Sequence, residues 1–359
     1  MALLALTWVA VKPKLEGEQM SGRKPRSTAT GRVTMQEVAK AAGTSMISVS
    51  RAFRDSAMVS PELAARIKEA AAALGYVPDR AASALASARS MNVAVVIPSL
   101  TNTVFVEMLA GIDEILSPQG YQMITATSFY APAEELRLLR GLLAFRPDGV
   151  LLTGIDHLPE TLKLLTSSAR PAVHMMELNN QPGSYSVGFS QEEGGAAIAR
   201  HFVERGYKKI GFVAAQLDPR TLARGSGFRQ ALEAAGLGAP RELMVPERSS
   251  IALGATLLDR MLAAYPDTDA VFFCNDDLAQ GALFRCQRRG IAVPGQVALA
   301  GFNDLPASAC TTPALSSVAT PRYQIGREAA KMLLELMAGR VPASFRLDLG
   351  FTLNIRETS

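Results

Sequence analysis

Residues 33–53 read VTMQEVAKAAGTSMISVSRAF. Thr34 followed three residues later by Glu37 is a capping box, in which each side chain satisfies a backbone N–H that the first turn of a helix leaves open. A helix from there turns Val38, Ala39 and Ala42 to one side, Gly43 supplies a permissive turn, and a second helix follows with Val49 and Phe53 as its apolar stripe. Two short helices joined in this way have helix-turn-helix spacing. Ser45, Met46, Ile47, Ser48 and Arg51 fall on the start or outer face of the second helix, where side chains enter a major groove. The plain alternative makes Met46 and Ile47 core, but Val49 and Phe53 already supply a buried face.

Residues 1–90 hold thirteen Lys and Arg against seven Asp and Glu, whereas the whole 359-residue chain has a net charge of only +4, so the remainder is slightly acidic. A basic front on a mildly acidic body is the asymmetry expected when one part meets phosphate. The opening MALLALTWVAV lacks a positive segment before it and a small-residue cleavage site after it, so it is not read as a signal peptide. Residues 1–31 are read as a disordered basic arm, and 32–77 as the headpiece. Residues 78–91, rich in Ala and Ser with Leu85, Arg80 and Arg89, read as a linker or as a helix too short to be stable alone.

Beyond residue 92 the pattern changes. Apolar strand-like runs begin at Val93, Tyr121, Gly149, Ala172, Lys209, Ala270 and Val297, and helical stretches of about a dozen residues alternate with them. Alternating strand and helix predicts a parallel sheet covered on both faces. About ten strands are too many for one small sheet, so two similar lobes are expected. The fold class is an all-α headpiece followed by an α/β domain of two parallel-sheet lobes.

Residues 33–53, followed by VSPELAARIKEAAAALGYVPDRAASALAS at 59–87, resemble without a gap the headpiece and hinge of the lactose-repressor (LacI/GalR) family. The resemblance implies that Met46, Ile47 and Arg51 read bases, that Thr34, Ser45, Ser48, Ser50, Tyr76 and Arg80 meet the DNA backbone or its neighbourhood, and that Leu85 wedges into a minor-groove step of a folded hinge. Family members carry polar or aromatic residues at the first reading pair, so Met46 and Ile47 depart from the pattern. Contact with thymine methyl groups is the physical substitute.

From residue 92 to 359 the resemblance implies an effector-binding and dimerisation domain like the periplasmic sugar-binding proteins, with lobe 1 at about 92–189 and 322–342 and lobe 2 at about 190–319 and 345–359. IPSLTNTVFVEML at 97–109, RTLARGSGF at 220–228, CNDDLAQGA at 274–282 and AGFND at 300–304 match family landmarks around the cleft. They implicate Ser99, Asn102, Phe105, Glu177, Phe189, Arg220, Arg224, Ser249, Asn275, Asp276 and Asn303. Asn303 stands where the family commonly has Asp, and removing an anion suits an acidic ligand. Arg220 and Arg224, four apart near a helix start, would hold a carboxylate or phosphate with help from the helix dipole.

LD.RT, CNDDLA.GA.F.CQR.G and LDLGFTL resemble the gluconate-utilisation branch of the family, which implies gluconate or a phosphorylated or keto sugar acid as effector, a palindromic operator, a homodimer, repression, and a cytoplasmic, nucleoid-associated location. A neutral sugar, a nucleobase or a phosphoprotein corepressor remains the alternative within the class. An enzyme is disfavoured: there is no complete dinucleotide fingerprint, no phosphate-binding GxxxxGK[ST] and no GxSxG. No cofactor is expected. His157, His174 and His201 lack metal or triad spacing, and Cys274, Cys286 and Cys310 read as small buried apolar residues. No run reaches the roughly 20 apolar residues of a membrane span. A transport-type binding protein would leave the basic helix-turn-helix unexplained.

Overall fold

The computed structural model describes residues 32–54, 56–78 and 89–359. These fall into two compact units, residues 32–78 and 89–359.

The first unit contains α1 (Met35–Ala41), α2 (Met46–Arg54) and α3 (Pro61–Leu74). The capping box forms: Glu37 N donates to Thr34 Oγ1 over 3.3 Å while Thr34 N donates to Glu37 Oε2 over 2.7 Å. The bond from Thr34 N, and a second from Thr34 Oγ1 to the same oxygen, hold the Glu37 carboxyl below the usual carboxylate range. Gly43 turns the chain at φ +60°, a left-handed conformation that a side chain resists. Ser60 caps α3, Pro61 opens it, and Gly75 closes it at φ +66°. Val38, Ala39, Ala42, Val49, Ala52, Ile67 and Ala71 form a core of their own. Phe53 departs from the expected stripe: Ala52 is buried in its place, and Phe53 tilts against Tyr76 at 5.7 Å between ring centres.

The second unit holds two six-stranded sheets. The first comprises β1 (Asn92–Ile97), β2 (Gln122–Thr127), β3 (Gly149–Thr153), β4 (Ala172–Met175), β5 (Tyr185–Gly188) and β11 (Arg346–Asp348), in the order β11-β5-β4-β3-β1-β2. The second comprises β6 (Ile210–Ala215), β7 (Arg241–Val245), β8 (Ala270–Phe273), β9 (Ala298–Asn303), β10 (Ser316–Ala319) and β12 (Thr352–Asn354), in the order β12-β10-β9-β8-β6-β7. Every pairing is parallel except β10 with β12. Central strands such as β3 and β6 are buried along their whole length, as strands covered on both faces must be.

The covering helices are α4 (Thr103–Leu116), α5 (Pro132–Ala144), α6 (Pro159–Ser168) and α11 (Arg322–Met337) on the first sheet, and α7 (Gln191–Glu204), α8 (Pro219–Ala234), α9 (Ile251–Ala264) and α10 (Asp276–Arg289) on the second. The chain crosses between lobes after β5, after β10 and after β11. Residues 346–348 therefore belong to the first sheet, through pairing of β11 with β5, and not to lobe 2 as expected. The strand is only three residues long, too short to carry a pattern. Both sheets share one strand order, in which the chain reverses direction beside the first strand of each lobe. Ligands bind at that switch point, at the carboxyl ends of the strands. Among the described residues, no helix is long and apolar enough to cross a membrane.

Candidate functional site

On α2 the two residues after the turn are open: Met46 is 51% and Ile47 65% exposed. Ser45 accepts a bond from Ser48 N over 3.2 Å and so starts the helix, while Arg51 is exposed one turn on. Thr34 is engaged in its cap, Ser50 is half-buried and Tyr76 packs on Phe53. Exposed apolar side chains on a polar surface mark a contact surface. Arg80 and Leu85 lie outside the described residues, as does most of the hinge segment.

One cavity of the second unit opens between its sheets. It is lined by Ser99, Asn102, Phe105, Arg220, Arg224, Ser249, Asn275 and Asn303, all expected, together with Thr101, Val104, Tyr130, Met176, Ala215, Gln216, Asp218, Thr221, Arg248, Asp277 and Leu305. Strand ends supply it. Tyr130, Met176, Gln216 and Asn303 follow or end β2, β4, β6 and β9, and all four have positive φ, from +52° at Gln216 to +105° at Asn303. Non-glycine residues held in that region are strained, and such strain collects at binding sites.

Three expected residues fall elsewhere. Asp276 is fully buried behind β9 and β10, where its carboxylate accepts bonds from Ser317 Oγ (2.6 Å), Ser308 Oγ (2.7 Å) and Leu305 N (2.6 Å). Burial pushes its carboxyl up to about 6, against those bonds. The neighbouring Asp277 lines the cavity instead. Phe189 is fully buried and stacks on Phe302. Glu177 lies behind Arg220, paired with it at 3.1 Å.

The two arginines differ. Arg220 also approaches Asp218 at 3.4 Å and Asp156 at 3.8 Å. Burial opposes its charge, but those carboxylates and Glu177 outweigh burial and hold the guanidinium above its usual range. Burial also raises the Glu177 carboxyl, although Arg220 pulls it the other way. Asp218 caps α8, accepting from Arg220 N and Thr221 N, so the helix start already has its anion. The expectation of a joint clamp by both arginines and the helix dipole is thereby corrected: Arg220 is neutralised from within.

Arg224 reaches Gln191 Oε1 through Nε (2.8 Å) and the Cys274 carbonyl through Nη1 (2.7 Å), and lies 3.9 Å above the Phe302 ring. Among the described residues it has no carboxylate within ion-pair distance, and burial lowers its pKa. Asn303 adds a second unsatisfied group, a buried Oδ1 with no hydrogen-bond partner. Asn102 caps α4 through Val104 N and donates to Tyr130 Oη at 3.2 Å. Asn275 caps α10 and bonds Ser249. The cleft thus offers hydroxyl and amide groups together with two arginines, Arg224 and Arg248, that form no ion pair with the described residues.

Of the other titratable residues, His157 Nδ1 lies 2.7 Å from Glu135 Oε1 and its Nε2 2.9 Å from His174 Nδ1, so the fold joins two histidines the sequence separates. His201 bonds Ser359 Oγ at 2.8 Å. Cys274 and Cys286 are buried, with burial pushing both thiols up to about 11, whereas Cys310 is exposed, contrary to expectation. No three His, Cys, Asp or Glu among the described residues could hold a metal ion.

A helix-turn-helix unit with exposed residues on its second helix, together with a two-lobed unit around a polar cleft, is the architecture of a ligand-responsive DNA-binding regulator. Residues 34–79 match the model of bacterial regulatory proteins of the lacI family, and 199–359 that of the periplasmic binding protein-like domain. The HTH-type transcriptional regulator GntR of Pseudomonas aeruginosa is 49% identical over 92% of this chain and 96% of its own. The crystal structure of transcription regulator GntR from Chromobacterium violaceum superposes with a TM-score of 0.73 at 52% identity, covering 75% of this chain and 99% of that one. The lac repressor dimer bound to operator and the anti-inducer ONPF shares the fold, with a TM-score of 0.80 at 24% identity over 91% of this chain and 99% of that one. This chain belongs to the lacI family: it is a DNA-binding transcriptional regulator, not an enzyme.

Proposed function

We propose that the protein represses genes of sugar-acid metabolism in the cytoplasm, with gluconate or a phosphorylated or keto relative as effector. The observation that carries this reading is Arg224, a buried arginine on the cavity wall with no carboxylate partner among the described residues. A buried charge is costly unless paired, so the site is built to receive an anion from outside. Asn303 supports it: on the cavity wall an amide in place of a carboxylate removes repulsion towards an anion. Ser99, Asn102, Asn275 and Ser249 supply further hydroxyl partners, with Asp277 and Tyr130 beside them.

Residues 32–77 read DNA, with Met46 and Ile47 against thymine methyl groups, Arg51 on a base edge and the hydroxyl residues on phosphates. Residues 78–91 link this headpiece to the effector domain, 92–359. One headpiece reads one half-site, so a homodimer on a palindrome follows. Lobe closure shifts operator affinity by linkage, and about 1–3 kcal/mol of coupling suffices. Calorimetric titration with gluconate, 6-phosphogluconate, 2-ketogluconate, ribose and a purine tests the effector. Micromolar binding of one sugar acid is expected, and binding of only ribose or the purine would sink this effector class.

A further inference from the structure

Arg322, the first residue of α11, is 5% exposed and stands where the chain passes from the second lobe to the first. Its Nη2 and Nε grip both oxygens of Glu107 on α4, at 3.0 Å and 3.2 Å. Its Nη1 donates to the backbone carbonyl of Asn303 and to Thr320 Oγ1. One guanidinium thus ties the peptide that carries a cleft-floor side chain in lobe 2 to a helix of lobe 1.

The two ends differ in stiffness. On the lobe 1 side, α4 and α11 are in backbone contact: a Cβ on Gly111 would meet Tyr323 O at 2.2 Å, and one on Gly326 would meet Met108 O at 2.1 Å. Those helices therefore move as one body. The other end is a residue in a left-handed conformation at φ +105°, followed by Asp304 at φ +50°. Asn303 lines the cavity, and its side-chain Oδ1 is buried without a hydrogen-bond partner among the described residues. A ligand packed against Asn303 acts on a peptide whose carbonyl is held by Arg322, and α4 with its cap brings Asn102, Val104 and Phe105 to the same cavity. A planar fork with two carboxylate bonds and a carbonyl bond transmits displacement in a way a flexible ammonium does not.

We propose that Arg322 is the positioning residue that couples occupancy at Asn303 to α4, so that it sets how strongly effector changes operator affinity without itself binding effector. This rests on the sugar-acid reading for the choice of probe only. The test uses full-length protein and an operator duplex selected by it from random DNA. Operator affinity is measured with and without saturating gluconate, and gluconate affinity with and without operator, for the wild type, Arg322→Met, Arg322→Lys and Glu107→Gln.

A wild-type effect in the usual range of about 5–150-fold should fall below about 2-fold in Arg322→Met, measured equally from either side as linkage demands, while gluconate affinity in the free protein changes by less than about 3-fold. Arg322→Lys and Glu107→Gln should be intermediate. Undiminished coupling in Arg322→Met, or loss of gluconate affinity in parallel with it, overturns the proposal. If the wild type ignores gluconate, the sugar-acid reading falls and a ligand-free arm decides. Asn303→Asp should alter hydrogen exchange in the first turn of α4 when Arg322 is present and leave it unaltered with Arg322→Met. The same response in both backgrounds, or none in either, overturns the coupling.

Discussion

Arg220 and Arg224 lie one turn apart on α8 and are equally buried, each 7% exposed, yet only Arg220 is ion-paired. Removing them should therefore have opposite signatures. Arg220→Ala leaves Glu177, Asp218 and Asp156 facing one another and should cost about 3–5 kcal/mol of stability in urea unfolding. Arg224→Ala orphans the Gln191 and Cys274 acceptors but no carboxylate among the described residues, so it should cost less, about 1–3 kcal/mol, while losing at least about 100-fold in sugar-acid affinity by calorimetry. If Arg224→Ala still bound the acid normally, the anion would sit elsewhere.

Restoring a carboxylate at the cleft floor is the complementary experiment. Asn303→Asp should weaken binding of gluconate by about tenfold or more, through repulsion in a site of low dielectric, and affect a neutral sugar less. The comparison of gluconate with ribose in parallel titrations separates repulsion from simple loss of the amide.

His174 makes folding pH-dependent. Burial first, and the neighbouring His157 second, lower its pKa to about 4 from an ordinary value of 6.5. Between those values the unfolded chain takes up a proton that the folded chain refuses, so the contribution of His174 is complete above pH 6.5 and is lost on acidification, at up to about 1.4 kcal/mol per pH unit. His174→Phe should flatten the slope of unfolding free energy against pH in that window. An unchanged slope would mean that His174 protonates as readily in the folded protein.

On the headpiece, Ile47→Ala should cost about 1–3 kcal/mol in operator binding and leave binding to random DNA unchanged. Replacing half-site thymines by uracil should reproduce that loss in the wild type and add little in the variant. Additive losses would show that Ile47 touches something other than the methyl groups.

Close helix contact gives a further site of vulnerability. A Cβ at Gly195 of α7 would meet the Arg224 carbonyl oxygen at 2.0 Å, so Gly195→Ala should destabilise by at least about 1–3 kcal/mol and displace the turn that carries Arg224. Urea unfolding reads the first effect and sugar-acid titration the second.

The headpiece was legible because its determinants are local: a cap three residues from its partner, a glycine at the turn and a stripe on one helix. The long central strands were legible for their continuous apolar runs. β11 and β12 were not, since three residues such as Arg346–Asp348 cannot display a period. Asp276 and Asp277 were exchanged because adjacent residues on a helix point about 100° apart, and only the position of β9 and β10 decides which carboxylate meets the cleft. The neutralisation of Arg220 comes in part from Asp218, two residues before it, but also from Glu177 and Asp156, on loops distant in sequence and brought near by the sheet order.

The repeated crossing of the chain between lobes orders events during synthesis. The headpiece core is complete once residue 78 has been made, from one continuous stretch. The first lobe, by contrast, lacks α11 and β11 until residues 322–348 emerge, and the second lacks β12 until 352–354 follow. At about 5–20 residues per second the apolar faces of β3, β4 and β5, complete at residue 188, await that cover for roughly 7–30 seconds. A nascent chain thus carries its address-reading end well before it owns the receptor that tells it when to let go, and a chain broken off early would keep the first without the second.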